Sequence, residues 1–120
     1  MKISERQAGD ITVLDVEGRI MFGDGEENFR DAVTRLIESG HVKLVINMAE
    51  VPYIDSAGIS QLVRTFVTAG KKGGRMKLLH LSKRVRELLT ITRLLTVWEA
   101  FESEEEAVGS FGEAPKGVLA

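Results

Sequence analysis

The period of apolar and polar positions changes several times along the chain, and each change marks an element. Residues 2–7 and 11–17 read as two strands separated by Ala8-Gly9-Asp10. Gly9-Asp10 is turn chemistry, and Ile11, Val13, Leu14 and Val16 suit a largely buried strand, so a hairpin is expected. Gly18 closes the second strand, and Ile20-Met21-Phe22 is a short apolar patch ahead of a Gly23-Asp24-Gly25 loop. Phe29, Ala32, Val33, Leu36 and Ile37 then recur on one face at helical spacing, which predicts a helix over about 26–39 that stops at Gly40. The run from Val42 to Asn47 is nearly continuous in apolar β-formers and fits a central strand covered on both faces.

A second helix is expected from Ser56 to about Ala69, with Ile59, Leu62, Val63, Phe66 and Val67 on its buried face and Gly70-Lys71-Lys72-Gly73-Gly74 ending it. A strand follows over 75–81, and Ser82 suits the cap of a third helix over about 83–92, with Val85, Leu88, Leu89 and Thr92 facing in. Val97-Trp98 and Phe101 mark a last short strand or extended segment. Ser103 and Glu106 have capping-box spacing and start a short final helix. Residues 112–120 lack periodicity and read as a flexible C-terminal tail behind a single domain over 1–111. The alternation predicts an α/β fold: a mixed sheet of about four to five strands packed with about four helices. Right-handed β-α-β units around residues 42–81 should build its parallel part.

Composition narrows the function. A length of 120 residues with 43% hydrophobic content fits one core, and a net charge of −2 gives no general basic footprint for direct nucleic-acid binding. The absence of cysteine excludes disulfides, thiol catalysis and Cys-based metal sites. His41 and His80 are far apart, and nothing in the sequence organises carboxylates around either, so no metal or cofactor is implied. No apolar run approaches the ~20 residues of a membrane span, and the N-terminus carries no signal-peptide core. A soluble cytoplasmic protein is the simplest expectation.

Candidate chemistry concentrates in the segment from Asn47 to Ile59. It leaves a buried strand, passes through Pro52 and Tyr53, and sets Asp55-Ser56 at the mouth of a helix. A phosphate on Ser56 would add roughly −1.5 to −2 charges at pH 7 without unfolding that helix. The same serine is equally suited to capping the helix, and so is Asp55. Asn47 can hold the loop 48–55, and Gly58 can allow close approach of a partner or a neighbouring strand. Ser60, Gln61 and Arg64 read as outward positions suited to a partner face.

The pattern Asn47-x7-Asp55-Ser56-x-Gly58, set between a buried strand and an amphipathic helix, resembles the STAS domain and, within it, the bacterial anti-anti-sigma factors (anti-sigma factor antagonists). The resemblance covers about residues 3–108. Lys83 to Leu94 and Phe101 to Ala107 also look like the family's last third. It implies a protein without catalytic activity that, unphosphorylated, binds an anti-sigma factor with serine kinase activity and frees a sigma factor. The kinase then phosphorylates the serine matching Ser56, and a PP2C-type phosphatase reverses the step. Asp55, Ala57, Gly58, Ser60, Gln61, Asn47 and Asp24 become the residues expected to support the phosphosite or touch the partner. Many antagonists carry an acidic residue where this chain has Met21, and Asp24 is the nearest substitute.

Two other functions compete. One is a STAS subunit of a larger regulatory or lipid-transport assembly, without a switch at Ser56. The other is an enzyme with Ser56 as nucleophile. The serine is not in Gly-x-Ser-x-Gly, and neither histidine is placed by sequence beside it, which disfavours the enzyme. Gly70-Lys71-Lys72-Gly73-Gly74 also lacks the spacing of a phosphate-binding loop.

Overall fold

The computed structural model describes residues 1–112. The expected tail lies outside the described residues except for Gly112, which belongs to a 3-10 turn over Ser110–Gly112. Strands β1 (Lys2–Ala8), β2 (Ile11–Glu17), β3 (Lys43–Glu50), β4 (Arg75–Leu79) and β5 (Ala100–Phe101) form one sheet in the order β1-β2-β3-β4-β5. The β1-β2 hairpin is antiparallel, and the remaining pairs are parallel. The helices are α1 (Asp24–Glu38), α2 (Ser56–Lys71), α3 (Lys83–Ile91) and α4 (Glu104–Gly109). The mixed α/β architecture agrees with the periodicity of the sequence.

Alternation along the central strands sorts the side chains onto two faces. Leu14 and Val16 of β2, Leu44, Ile46 and Met48 of β3, and Met76 and Leu78 of β4 pack with Phe29, Val33, Leu36 and Ile37 of α1. Leu62 and Ala69 of α2 and Val85 and Leu89 of α3 complete that core. On the opposite face Ile11, Val13, Val45 and Leu79 pack under Ala107 of α4 and Phe111.

That second face carries polar ties that the sequence did not announce. Arg6 donates to Asp15 at 2.6 Å and to Glu104 at 2.7 Å, joining the hairpin to α4. The guanidinium holds both carboxyls below the usual carboxylate range. Lys77 is fully buried, with Nζ 2.6 Å from Ser110 Oγ, 3.3 Å from Glu99 and 4.6 Å from the centroid of the Phe111 ring. A buried ammonium needs such partners, because leaving it unpaired would cost several kcal/mol.

Several expectations shift. Strand β3 continues to Glu50 rather than Asn47, because its carboxyl end keeps pairing with β2 across a register irregularity between Asp15 and Glu17. The inward face of α2 is rotated: Gly58, Leu62, Thr65 and Ala69 are buried, Ile59, Val63 and Phe66 are half-buried, and Val67 is exposed. The helix runs along the sheet and also meets α1, so its deepest line lies between the two contacts. Thr92 is the exposed C-cap of α3, where its hydroxyl bonds the Leu88 carbonyl. Trp98 is buried, not in a strand, and meets Phe66 edge-on with ring centroids 6.3 Å apart.

Ile46, fully buried at the centre of β3, should be among the costliest truncations. Ile46→Ala is expected to lower unfolding stability by about 2–5 kcal/mol, measured by denaturant titration. An exposed change such as Thr34→Ala should stay within about 0.5 kcal/mol of the unaltered chain in the same titration.

Candidate functional site

Two loops meet at the carboxyl ends of β2 and β3. Beyond Glu17 the chain stays beside β3: Gly18 N–H donates to the Glu50 carbonyl at 3.0 Å, and Ile20 N–H to that of Tyr53 at 3.3 Å. Ile20 and Ile54 form an isolated parallel bridge, and both side chains are fully buried. The apolar patch is thereby split. Ile20 points into the core, Met21 is half-buried, and Phe22 projects outward at 84% exposure.

Asp55 is the N-cap of α2. Its Oδ1 accepts from the Gly58 N–H at 3.0 Å, which fills one of the unpaired donors of the first helical turn. Its Oδ2 accepts from the Phe22 N–H at 2.9 Å, so one carboxylate closes the helix and pins the neighbouring loop. These donors, Phe22 first and Gly58 next, hold the Asp55 carboxyl below the usual carboxylate range.

Ser56 is therefore not the cap. It occupies the first helical position, exposed, and its hydroxyl has no hydrogen-bond partner among the described residues. The first turn of α2 contains no acidic side chain, so the positive end of the helix dipole is offset there only by Asp55. Ser60 is also exposed, and its hydroxyl bonds the Ser56 carbonyl at 2.9 Å. Ala57 is half-buried beside them.

Gly58 has a steric reason to lack a side chain. A Cβ there would stand 2.0 Å from the Ile20 carbonyl oxygen, so the close approach is to this chain's own neighbouring segment. Gly25 is constrained in the same way, by the Arg19 carbonyl at 2.2 Å from a notional Cβ. Both glycines seat helix starts against the 18–20 segment.

Other expected site residues fall elsewhere. Asn47 lies on the face of the sheet that carries Asp15: its Nδ2 donates to Asp15 at 2.8 Å and its Oδ1 accepts from the Ala49 N–H at 3.2 Å. It shapes the start of the loop and makes no hydrogen bond to Ser56. Gln61 does not face outward. It is half-buried and donates to Glu26 of α1 at 3.2 Å, because α1 covers that side of α2. Asp24 is the exposed first residue of α1, two positions beyond Phe22. Arg64 remains exposed, two turns along α2.

Two neighbours escaped sequence reasoning. Phe22 read as part of an apolar run, and only the Ile20–Ile54 bridge separates its direction from that of Ile20. Arg84 of α3 lies over the Tyr53 ring at 4.5 Å and braces the loop before Asp55. Among the described residues no group of three or more His, Asp or Glu is placed to hold a metal ion, and no helix is long and apolar enough to cross a membrane.

A five-stranded mixed sheet with a serine at the open mouth of the helix after β3 defines a class of α/β domain, and comparison identifies the class. Residues 2–107 match the STAS domain model, and the chain belongs to that family. Over 79 residues it is 35% identical to the anti-sigma-B factor antagonist of Bacillus subtilis strain 168, spanning 66% of this chain and 72% of that protein. It is also similar in fold to a Thermotoga maritima protein described as an anti-sigma factor antagonist, with a TM-score of 0.87 at 18% identity over 92% of this chain and 95% of that one. The phosphorylated form of the Bacillus cell fate determinant SpoIIAA superposes with a TM-score of 0.72 at 20% identity, covering 92% and 99% of the two chains.

Gly58→Ala should displace the Ile20 segment from the start of α2 and lower stability by about 1–3 kcal/mol, read by thermal or denaturant unfolding. The contribution of Asp55 should depend on pH with a definite sign. Its folded pKa lies below the ordinary 3.8, so its stabilisation is fully present well above that value and is lost as pH falls through it and below. The stability difference between the unaltered chain and Asp55→Asn should therefore be larger at pH 7 than at pH 3. A difference independent of pH would show that the charge at Asp55 does not stabilise the cap.

Proposed function

We propose that this chain is an anti-sigma factor antagonist switched by phosphorylation at Ser56. Unmodified, it binds an anti-sigma factor that is also a serine kinase, and so releases a sigma factor. The kinase phosphorylates Ser56 and the complex dissociates, and a PP2C-type phosphatase restores the binding form. The protein itself acts by association and not as an enzyme, and the reading places it in the cytoplasm.

One observation carries this reading. Asp55 takes the capping role and leaves the Ser56 hydroxyl exposed at the first position of α2, with no hydrogen bond among the described residues. A modification there need not break the cap. The positive helix end favours an added anion within the fold. Pressed against a partner, the same dianion must lose hydration or meet like charge on that partner. A penalty of about 2.8 kcal/mol suffices for a ~100-fold change in affinity. The anti-sigma-B factor antagonist relationship supports the choice of partner class.

The test uses Ser56→Ala and Ser56→Asp proteins as paired baits for the anti-sigma kinases of the source organism. Ser56→Ala is expected to bind one of them and to resist release by ATP. Ser56→Asp should fold alike and bind it about 100-fold more weakly. Equal binding by both would overturn the switch. Equal capture of transporter subunits or of other STAS proteins would make the chain an assembly subunit instead.

A further inference from the structure

We propose that Phe22 is the apolar anchor of the Ser56 face, seating in an apolar pocket on the kinase partner beside the cleft that takes the Ser56 hydroxyl. This rests on the reading of Ser56 given above. Phe22 is 84% exposed, more than any other large apolar side chain among the described residues, with Ile91 next at 79%. A ring turned fully outward gains nothing for its own fold, and aromatic side chains, Phe among them, are enriched in the buried centres of interfaces.

Its backbone is not loose. The Phe22 N–H is held by Asp55 at 2.9 Å, the preceding carbonyl of Met21 accepts from Glu26 N–H at 2.9 Å, and the following carbonyl of Gly23 accepts from Glu27 N–H at 2.9 Å. Ile20, two residues earlier, is locked in the core. The ring is thus presented on a fixed loop, which lowers the ordering cost of binding.

Position supplies the occupant. The carboxylate that fixes Phe22 belongs to Asp55, the residue before Ser56. A kinase cleft that closes over Ser56 meets the loop carrying this ring. The two residues then divide the work: Phe22 sets affinity and partner choice, and Ser56 sets the sign of the switch. An aliphatic or aromatic pocket on the partner fits the ring, whereas a wholly polar surface does not.

The probe is the purified serine kinase retained by the Ser56→Ala protein. Its affinity is measured for the unmodified chain, Phe22→Ala, Phe22→Leu and Val67→Ala, beside the thermal midpoint of each. Val67 is also exposed, but lies about 16 Å further along α2. Phe22→Ala should weaken binding by at least about tenfold and raise the KM for phosphorylation of Ser56, with the thermal midpoint unchanged. Phe22→Leu should recover part of the affinity, and Val67→Ala should bind as the unmodified chain does. If Phe22→Ala binds normally while Ser56→Asp does not, the anchor is wrong and the switch stands. A loss of equal size in Val67→Ala also overturns the anchor, because it would reflect general apolar adhesion. If neither the unmodified chain nor Ser56→Ala binds any kinase, the reading of Ser56 fails and the anchor falls with it.

Discussion

The Asp55 carboxylate joins two backbone segments 33 residues apart, and the geometry of the whole site follows from that junction. One oxygen completes the first turn of α2 through Gly58, and the other holds the Phe22 N–H. An ionised acceptor makes stronger hydrogen bonds than a neutral one, and each oxygen has its own donor. Because the cap is supplied by the residue before it, the Ser56 hydroxyl has no hydrogen bond among the described residues to lose.

The junction needs a bed, and the parallel strands provide it. β2 and β3 keep company past their regular register, through Gly18 and Ile20, up to the Ile20–Ile54 bridge. With both isoleucines buried, the two loops leave the sheet at a fixed separation. Gly58 then lets the helix start sit directly against the Ile20 carbonyl, where a side chain would have forced the two apart. Sites at the carboxyl ends of parallel strands are common in α/β folds for this reason: loops converge there on a rigid base.

The opposite face of the sheet contributes rigidity of another kind. Arg6, Asp15 and Glu104 link the edge hairpin to α4, and Asn47 joins the set through Asp15. Lys77 and its ring of partners close the same layer near the chain's end. In the proposed switch a charge change at Ser56 would act on a surface whose supports are already paired, so a partner would feel it more than the fold would.

Periodicity alone determined the order of elements, the mixed α/β class and the location of Asp55-Ser56 at a helix start, because those depend on local spacing and turn chemistry. The cap could not be assigned from sequence. Ser56 and Asp55 are both good caps, and the choice turned on which side chain also found Phe22 across the loop. Gln61 reads as exposed on its own helix, and only packing against α1 half-buries it, whereas Asn47 can hold the loop 48–55 by its place in the sequence and bonds the Ala49 N–H there. The outward turn of Phe22 depends on Ile20 being captured by Ile54, a contact between segments that are distant along the chain. Local sequence sets which conformations each segment prefers. Which polar group meets which donor, and which apolar side chain is left in water, is settled only when those segments pack.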